Sequence, residues 1–492
     1  MKRLVFLLAL LSISSPLFAA APAWTGDGAD ALASTVLNWD TGVAPTTGDT
    51  VTFPGSGGGN PNKNCTWDIG AQINILDLQS GYSGNWTASV QTQVNSGATQ
   101  KITVNNTGVF DMGNQTVRAG TGGFDASGAA TKTIVFGNSS SVLISQGNVN
   151  LSGANLTFTK GTGEISITSA ATLTTNAKIL HALTISAATT FADDVTITGT
   201  YSGAGAVSGG KNLFAQGDFS ANSASADALT VNFTGSANQE WIGGGGNNYN
   251  HDTIINKSGG ILTISGTLYV GFINKPVTIT YTAGSISHTG TLGLRGTGSS
   301  VTLNTNGMVW NNVSFGSFES PTITLSSLLT VNGTITTVSN TILSGTGGIS
   351  TANLTINSAK SLSAGGNAVT VSGNWTNNGT FIADTSTVVF NGTSAVDGST
   401  AFYSLTCSGT CNFDDLDTFS TNASGVLSGD GAFQSDDGVN SADLNVNGSE
   451  TVVTGSCTRL ANAGTTVVTA GALTSCTGWA GPSVMRRMVV IG

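Results

Sequence analysis

Histidine, clustered aspartate and cysteine are the residues of this 492-residue chain whose chemistry would matter most in a shared site. The histidines, His181, His251 and His288, lie far apart in sequence. A serine nucleophile needs a histidine base and a carboxylate to orient it. Serine is too abundant here to be informative, and no Gly-x-Ser-x-Gly elbow opens a helix. Polar histidines on strand faces are the simpler reading.

Glycoside hydrolysis asks for two carboxyl groups converging at about 5–9.5 Å. The adjacent acids are Asp193-Asp194, Asp414-Asp415-Leu416-Asp417 and Asp436-Asp437. Neighbours on one strand point to opposite faces, so adjacency alone does not bring them together. Arg118, Arg295 and Arg459 lie far in sequence from these pairs, and no Gly-His-Gly or Arg-Ile-Lys motif occurs. No catalytic or cofactor-binding residue is assigned, and enzyme activity is not expected. Calcium wants about six to eight oxygen ligands. Asp414, Asp415 and Asp417 are the candidates for such a site, although a solvated acidic turn is the favoured reading. No other cofactor is implied.

The five cysteines are Cys65, Cys407, Cys411, Cys457 and Cys476. The odd count leaves at least one thiol unpaired within the chain. Cys407 and Cys411 can be joined across a local turn, and Cys457 and Cys476 form a second candidate disulfide. A metal reading of Cys-x3-Cys lacks a nearby histidine or second close cysteine pair.

The N-terminus suggests the compartment in which such disulfides form. Met1-Lys2-Arg3 is basic, Leu4 to Leu11 is apolar, and small residues lead to Phe18-Ala19-Ala20-Ala21-Pro22-Ala23. This is the layout of a Sec-type secretory signal peptide, residues 1–20, with cleavage falling between 19 and 23. The apolar run is too short to span a bilayer, so no transmembrane segment is expected after cleavage. The protein is therefore expected to be bacterial, secreted or at the cell surface, where disulfides persist. It carries 26 acidic and 16 basic residues, for a net charge of −10. Scattered cations on an acidic chain do not suit nucleic acid, which demands clustered Lys and Arg.

Only 9% of residues are charged but 39% are hydrophobic, so disorder is not indicated. One four-residue pattern recurs: apolar, Thr, apolar, then Ser, Thr or Asn. It appears at Ile102, Leu156, Leu183 and Val195, and variants begin at Leu229, Leu262, Val277, Val301, Ile323, Leu329, Leu354 and Val369. Alternation with β-branched residues predicts half-buried strands, and the Gly and Asn that follow predict turns. Such units bury an apolar face only by stacking. The expected fold is all-β, a right-handed parallel β-helix or related β-solenoid of about twenty coils spaced as strands are. Tandem small β-sandwiches are the alternative, which the lack of Pro-rich or charged linkers disfavours.

Residues 21–100 are predicted to form a Trp-rich N-terminal cap with the first coils, 101–450 the strand-repeat solenoid, and 451–492 a C-terminal cap or tail. Trp24, Trp39, Trp67 and Trp86 are read as packing residues in that cap; an exposed carbohydrate platform is the competing reading.

Two segments carry a family likeness: Asn38-Trp39 through Pro45, Gly48-Asp49-Thr-Val51-Thr-Phe53, and Val371-Ser-Gly-Asn-Trp375-Thr-Asn-Asn-Gly379-Thr-Phe381 with Val388-Val-Phe390-Asn-Gly-Thr. They resemble the repeats of large bacterial secreted β-strand-repeat proteins, autotransporter-passenger-like and filamentous-adhesin-like β-solenoids. The resemblance implies a solenoid at the cell surface and carries over no active site. The expected function is structural or adhesive, with surface glycans, other cells or copies of itself as partners. A β-helix polysaccharide lyase or glycoside hydrolase is the alternative, and a tail-spike-like fibre a third.

Overall fold

A computed structural model describes residues 20–56, 60, 62–97, 99–221, 229–243, 248–249, 251–271, 276–296, 300–305, 307–316, 320–414, 417–422, 424–429, 431–435, 443–446, 449–451 and 457–458, with backbone only at 248–249 and from 432 onward. The chain is nearly all β, its parallel sheets stacked as a β-solenoid. The one described departure is a 3-10 turn at Val36–Asn38. It divides into two units, residues 1–176 and 177–492, which together hold about 16 turns. That is fewer than the roughly twenty expected.

In the first unit each coil contributes a strand to each of three parallel sheets. One sheet stacks Thr50–Phe53, Ile75–Leu78, Lys101–Val104, Gly123–Asp125, Val149–Asn150 and Ala171–Thr174. A second stacks Cys65–Trp67, Trp86–Ala88, Val109–Asp111, Lys132–Val135 and Leu156–Thr159. The third stacks Gln72–Ile73, Thr92–Val94, Thr116–Ala119, Val142–Ser145 and Glu164–Ile167. Alternate side chains point inward, so the in-register partners form columns along the core. Val51, Leu76, Ile102, Phe124, Val149 and Leu173 make one such column, and all are buried. Burying apolar area in continuous columns drives stacking of coils too thin to hold a core alone.

The second unit uses the same device. Leu292, Val313, Ile335, Leu354, Trp375, Val396 and Phe413 occupy equivalent positions on seven successive coils and are all buried. Its two longest strands, Asp252–Ser265 and Val277–His288, pair in parallel with register shifts around Asn256, where the chain turns a corner without leaving the sheet.

Every occurrence of the recurring apolar-Thr-apolar pattern lies on a strand or at its edge. Ile102, Val195, Ile323 and Val369 fall in strands whose Val, Ile and Leu are buried and whose Thr is partly exposed. Leu156–Thr159 breaks the rule, because Phe158 is only partly buried while its ring packs edge-on against Phe136 at 5.2 Å. Coil length varies. Asp194 meets Asn212 after 18 residues, whereas Gly48 meets Asn74 after 26.

Two side-chain devices fix the corners. Asparagine staircases satisfy backbone N–H groups of the next coil: Asn64 Oδ1 accepts from the Asn85 N–H, and Asn85 Oδ1 accepts from the Val109 N–H. The same step runs from Asn353 to Asn374 to Ala395. Glycine stacks allow close backbone approach. Gly392, Gly409 and Gly431 precede the register-matched residues Thr393, Thr410 and Ala432. A Cβ on Gly409 would lie 2.0 Å from the Gly392 carbonyl oxygen, and one on Gly431 2.1 Å from that of Gly409. Only glycine fits such a column.

Candidate functional site

A polar recess in the first unit grows from three strands of the third sheet. Gln72 pairs in register with Gln93, Gln93 with Arg118, and Arg118 with Ile144. Strand stacking sets these residues about 4.8 Å apart from coil to coil. The flanking Ile73, Val94, Val117 and Leu143 point into the core, which turns Gln72, Gln93 and Arg118 outward. With Ser96 and Gln146 they line a shallow pocket of about 100 Å³. It offers amide donors and acceptors, a hydroxyl and one guanidinium fork. That chemistry suits hydroxyl groups and an occasional carboxylate or phosphate. Sequence reading missed the site. Its only trace is a polar residue before a buried apolar one, at equivalent positions of Gln72-Ile73, Gln93-Val94 and Arg118-Ala119.

The acidic turn proves to be a constellation across coils. Carboxylate oxygens of Asp397, Asp414 and Asp417 lie within 4.8 Å of one another. Asp397 comes from the preceding coil, because Val396 and Phe413 are register partners. Asp415 lies outside the described residues. Asp417 already uses both oxygens, Oδ2 accepting from the Gly398 N–H at 2.7 Å and Oδ1 from the Ser399 hydroxyl at 3.0 Å. The trio therefore ties one turn to the next. As a calcium cage it supplies three carboxylates where about six to eight oxygens are wanted. Asp194, from another acidic pair, likewise accepts from the Asn212 N–H at 2.8 Å. Asp436 and Asp437 lie outside the described residues.

Cys407 and Cys411 are bonded, with an S–S distance of 2.03 Å. Cys407 ends the strand Ser404–Cys407 and Cys411 lies in Thr410–Phe413, so the bond closes the corner at Ser408-Gly409. Cys65 is a free, buried thiol, and burial, then the charge of Asp68, pushes its pKa well up. Cys457 pairs through its backbone with Phe433, and Cys476 lies outside the described residues, as do Met1, Lys2, Arg3 and Ala19.

The histidines do not meet in one site. The described geometry puts His181 Nδ1 3.5 Å from the Thr198 hydroxyl, and His251 is buried. His288 Nδ1 accepts from the Asn311 N–H at 2.8 Å, its ring standing edge-on to Trp310 at 4.9 Å. Burial lowers its pKa to about 4. Among the described residues three cations, Lys132, Lys257 and Arg295, are buried, which their sequence context did not signal. Lys132 donates from Nζ to the carbonyls of Gly128 and Ala130, and Lys257 to the Ala237 carbonyl and Gln239 Oε1. The Arg295 guanidinium carbon sits 3.5 Å over the Tyr269 ring. Burial lowers the pKa of all three. Their protons are spent on turn carbonyls or an aromatic face, which gives them a structural role.

Trp24, Trp39, Trp67 and Trp86 are all buried, so the alternative of an exposed tryptophan platform is not formed. Trp24, Trp39 and Phe53 make one ring cluster, with centroids 5.2–5.8 Å apart. Among the described residues no helix is long and apolar enough to cross a membrane.

No protein-family model matches the chain, and neither the curated proteins nor the solved structures contain a match to it.

Proposed function

We propose that this is an exported bacterial protein, secreted or held at the cell surface, whose solenoid is a structural and adhesive scaffold for glycans. The observation that carries this reading is the polar recess of Gln72, Gln93, Ser96, Arg118 and Gln146 on a parallel sheet. Amides and a single guanidinium suit neutral or sparsely acidic oligosaccharides, held by many weak hydrogen bonds along the coil axis. The net negative charge disfavours polyanions such as nucleic acid or anionic membranes. Export rests on the basic, apolar and small-residue segments of residues 1–20 and is supported by the disulfide at Cys407 and Cys411. The likeness to autotransporter-passenger-like and filamentous-adhesin-like repeats agrees with a surface role.

The test is a glycan array probed with the purified exported protein, with each bound sugar then assayed for new reducing ends. Binding without reducing-end release is the expected result. Release of reducing ends would replace this reading with a polysaccharide lyase or hydrolase. No binding to any glycan would remove the adhesive role.

A further inference from the structure

Asp49 is a buried carboxylate, 4% exposed, whose hydrogen-bonding partners are all uncharged. Oδ2 accepts from the Thr46 N–H at 2.7 Å and from the Thr46 hydroxyl at 3.0 Å. Oδ1 accepts from the backbone N–H of Ala20 at 2.7 Å. A buried carboxylate without a countercharge is costly, because neutral donors replace only part of its hydration. The atom it meets, Ala20 N, lies within the sequence stretch where a signal peptide would be cut.

We infer that the Ala19–Ala20 bond is the processing site, and that the ammonium group created at Ala20 is the missing counterion of Asp49. This rests on the export reading above and makes it specific. The chemistry is hydrolysis by a signal-peptide-cleaving endopeptidase of the host. Water breaks the amide, its oxygen becoming part of the Ala19 carboxylate. Both water protons and the existing amide proton end, at neutral pH, on the Ala20 nitrogen. A neutral N–H donor thereby becomes a charged one at the same position, and charge-assisted hydrogen bonds are about twice as strong as neutral ones.

The neighbouring backbone sets the choice among the cleavage points the sequence leaves open. Residues 20–24 run beside the first core strand. The Ala20 carbonyl accepts from the Thr50 N–H at 2.9 Å, the Pro22 carbonyl from the Thr52 N–H at 3.1 Å, and the Thr52 carbonyl from the Trp24 N–H at 2.9 Å. Ala23 donates to Asp40 Oδ1 at 2.8 Å, and its carbonyl accepts from the Asp40 N–H at 3.0 Å. Cleavage after Ala20 deletes both Ala20 contacts. Cleavage after Ala23 also takes the Pro22 carbonyl from the Thr52 N–H and both Ala23 contacts from Asp40, leaving only the Trp24 N–H on the Thr50–Phe53 edge. Cleavage after Ala19 keeps every one of these bonds and adds the ion pair.

The experiment expresses the full chain with its own leader in a Sec-competent bacterium and recovers it from the periplasm or medium. The mature N-terminus is read by mass spectrometry. The rate of acylation of the α-amine by an N-hydroxysuccinimide ester at pH 7 is then compared between wild type and Asp49→Asn. The expected result is a single N-terminus at Ala20, acylated at least tenfold more slowly in wild type than in the variant. If Asp49→Asn fails to accumulate, urea-unfolded wild type serves as the unprotected reference, and the same tenfold protection is expected. Exported protein beginning at Ala21 or Trp24 overturns this inference and leaves export standing. Uncleaved protein retained in the cytoplasm overturns both. An Ala20 terminus acylated at the reference rate keeps the cleavage site and overturns the pairing with Asp49.

Discussion

Trp86 lies flat on Phe110 of the next coil, with ring centroids 4.6 Å apart and planes within 4° of parallel. The two are register partners in the second sheet of the first unit and both are fully buried. A stacked pair of this kind arises because in-register parallel coils put like positions above one another. Two large rings on consecutive coils then have nowhere to go except face to face. The column continues through Ile134 and Phe158 and takes up the slack in a core otherwise built from Val, Ile and Leu.

Phe110→Ala is accordingly expected to lower stability by about 3–5 kcal/mol, the range for removing a buried aromatic side chain. Urea unfolding followed by far-UV circular dichroism reads the loss. A double-mutant cycle with Trp86→Ala is expected to return a coupling of about 0.5–1.5 kcal/mol, the increment of an aromatic pair beyond its area. A coupling near zero would mean that the rings do not stack.

The glycine column gives a sharper contrast. Gly409→Ala pushes a methyl to within 2.0 Å of the Gly392 carbonyl, so adjacent coils must part. A loss of about 1–3 kcal/mol is expected, the usual cost of overpacking. Gly70 has open space around its missing Cβ and no positive φ. Gly70→Ala is therefore expected to be neutral or to stabilise by up to about 1 kcal/mol through the unfolded chain. Equal effects at the two positions would contradict the stacking geometry.

His288 makes stability depend on pH. Its folded pKa of about 4 lies below the unfolded value near 6.5, because burial disfavours the charged ring. The unfolded state takes up the proton first as pH falls. The contribution of neutral His288 is thus intact above pH 6.5, declines between about 6.5 and 4, and is gone below. Allowing for its partial exposure, about 2 kcal/mol is at stake. His288→Gln, whose side-chain oxygen can still accept from the Asn311 N–H, is expected to flatten that part of the stability–pH curve. An unchanged slope would contradict the assignment.

The cysteines should sort by reactivity. Cys65 is buried with its thiol pKa well raised, so iodoacetamide at pH 8 is expected to leave it unmodified until the protein unfolds. Cys407 and Cys411 are expected to label only after reduction. Peptide mapping of native, unfolded and reduced samples separates the three behaviours. Rapid labelling of Cys65 in the native protein would contradict its place in the core beside Trp86.

The strands were legible because period-two burial is written locally. Ile102-Thr-Val and Val369-Thr-Val state which side is inside without reference to any other coil. Phe158 escapes that local logic, since its exposure is set by where the second sheet of the first unit ends among the paired strands. The sites were less legible for the same reason. Asp397 joins Asp414 and Asp417, and Gln72 joins Gln93 and Arg118, through a register that depends on coil length, and coil length varies from 17 to 26 residues. Lys132 and Lys257 look like surface lysines in sequence. Their burial follows from turns that aim carbonyls inward, visible only once the coils are stacked.

The central claim is that the outward row of Gln72, Gln93 and Arg118 holds glycan without cutting it. Its most direct test is the dissociation constant for the best array ligand, measured by calorimetry on wild type and on the Gln93→Ala/Arg118→Ala variant. Both substituted side chains lie on the outer face, so the fold should be unaffected, which circular dichroism checks. Losing two or three hydrogen bonds, one of them charge-assisted, predicts at least a tenfold weaker constant, with no reducing ends released by either protein. Equal affinity in the two proteins, or sugar cleavage by the wild type, would contradict the account.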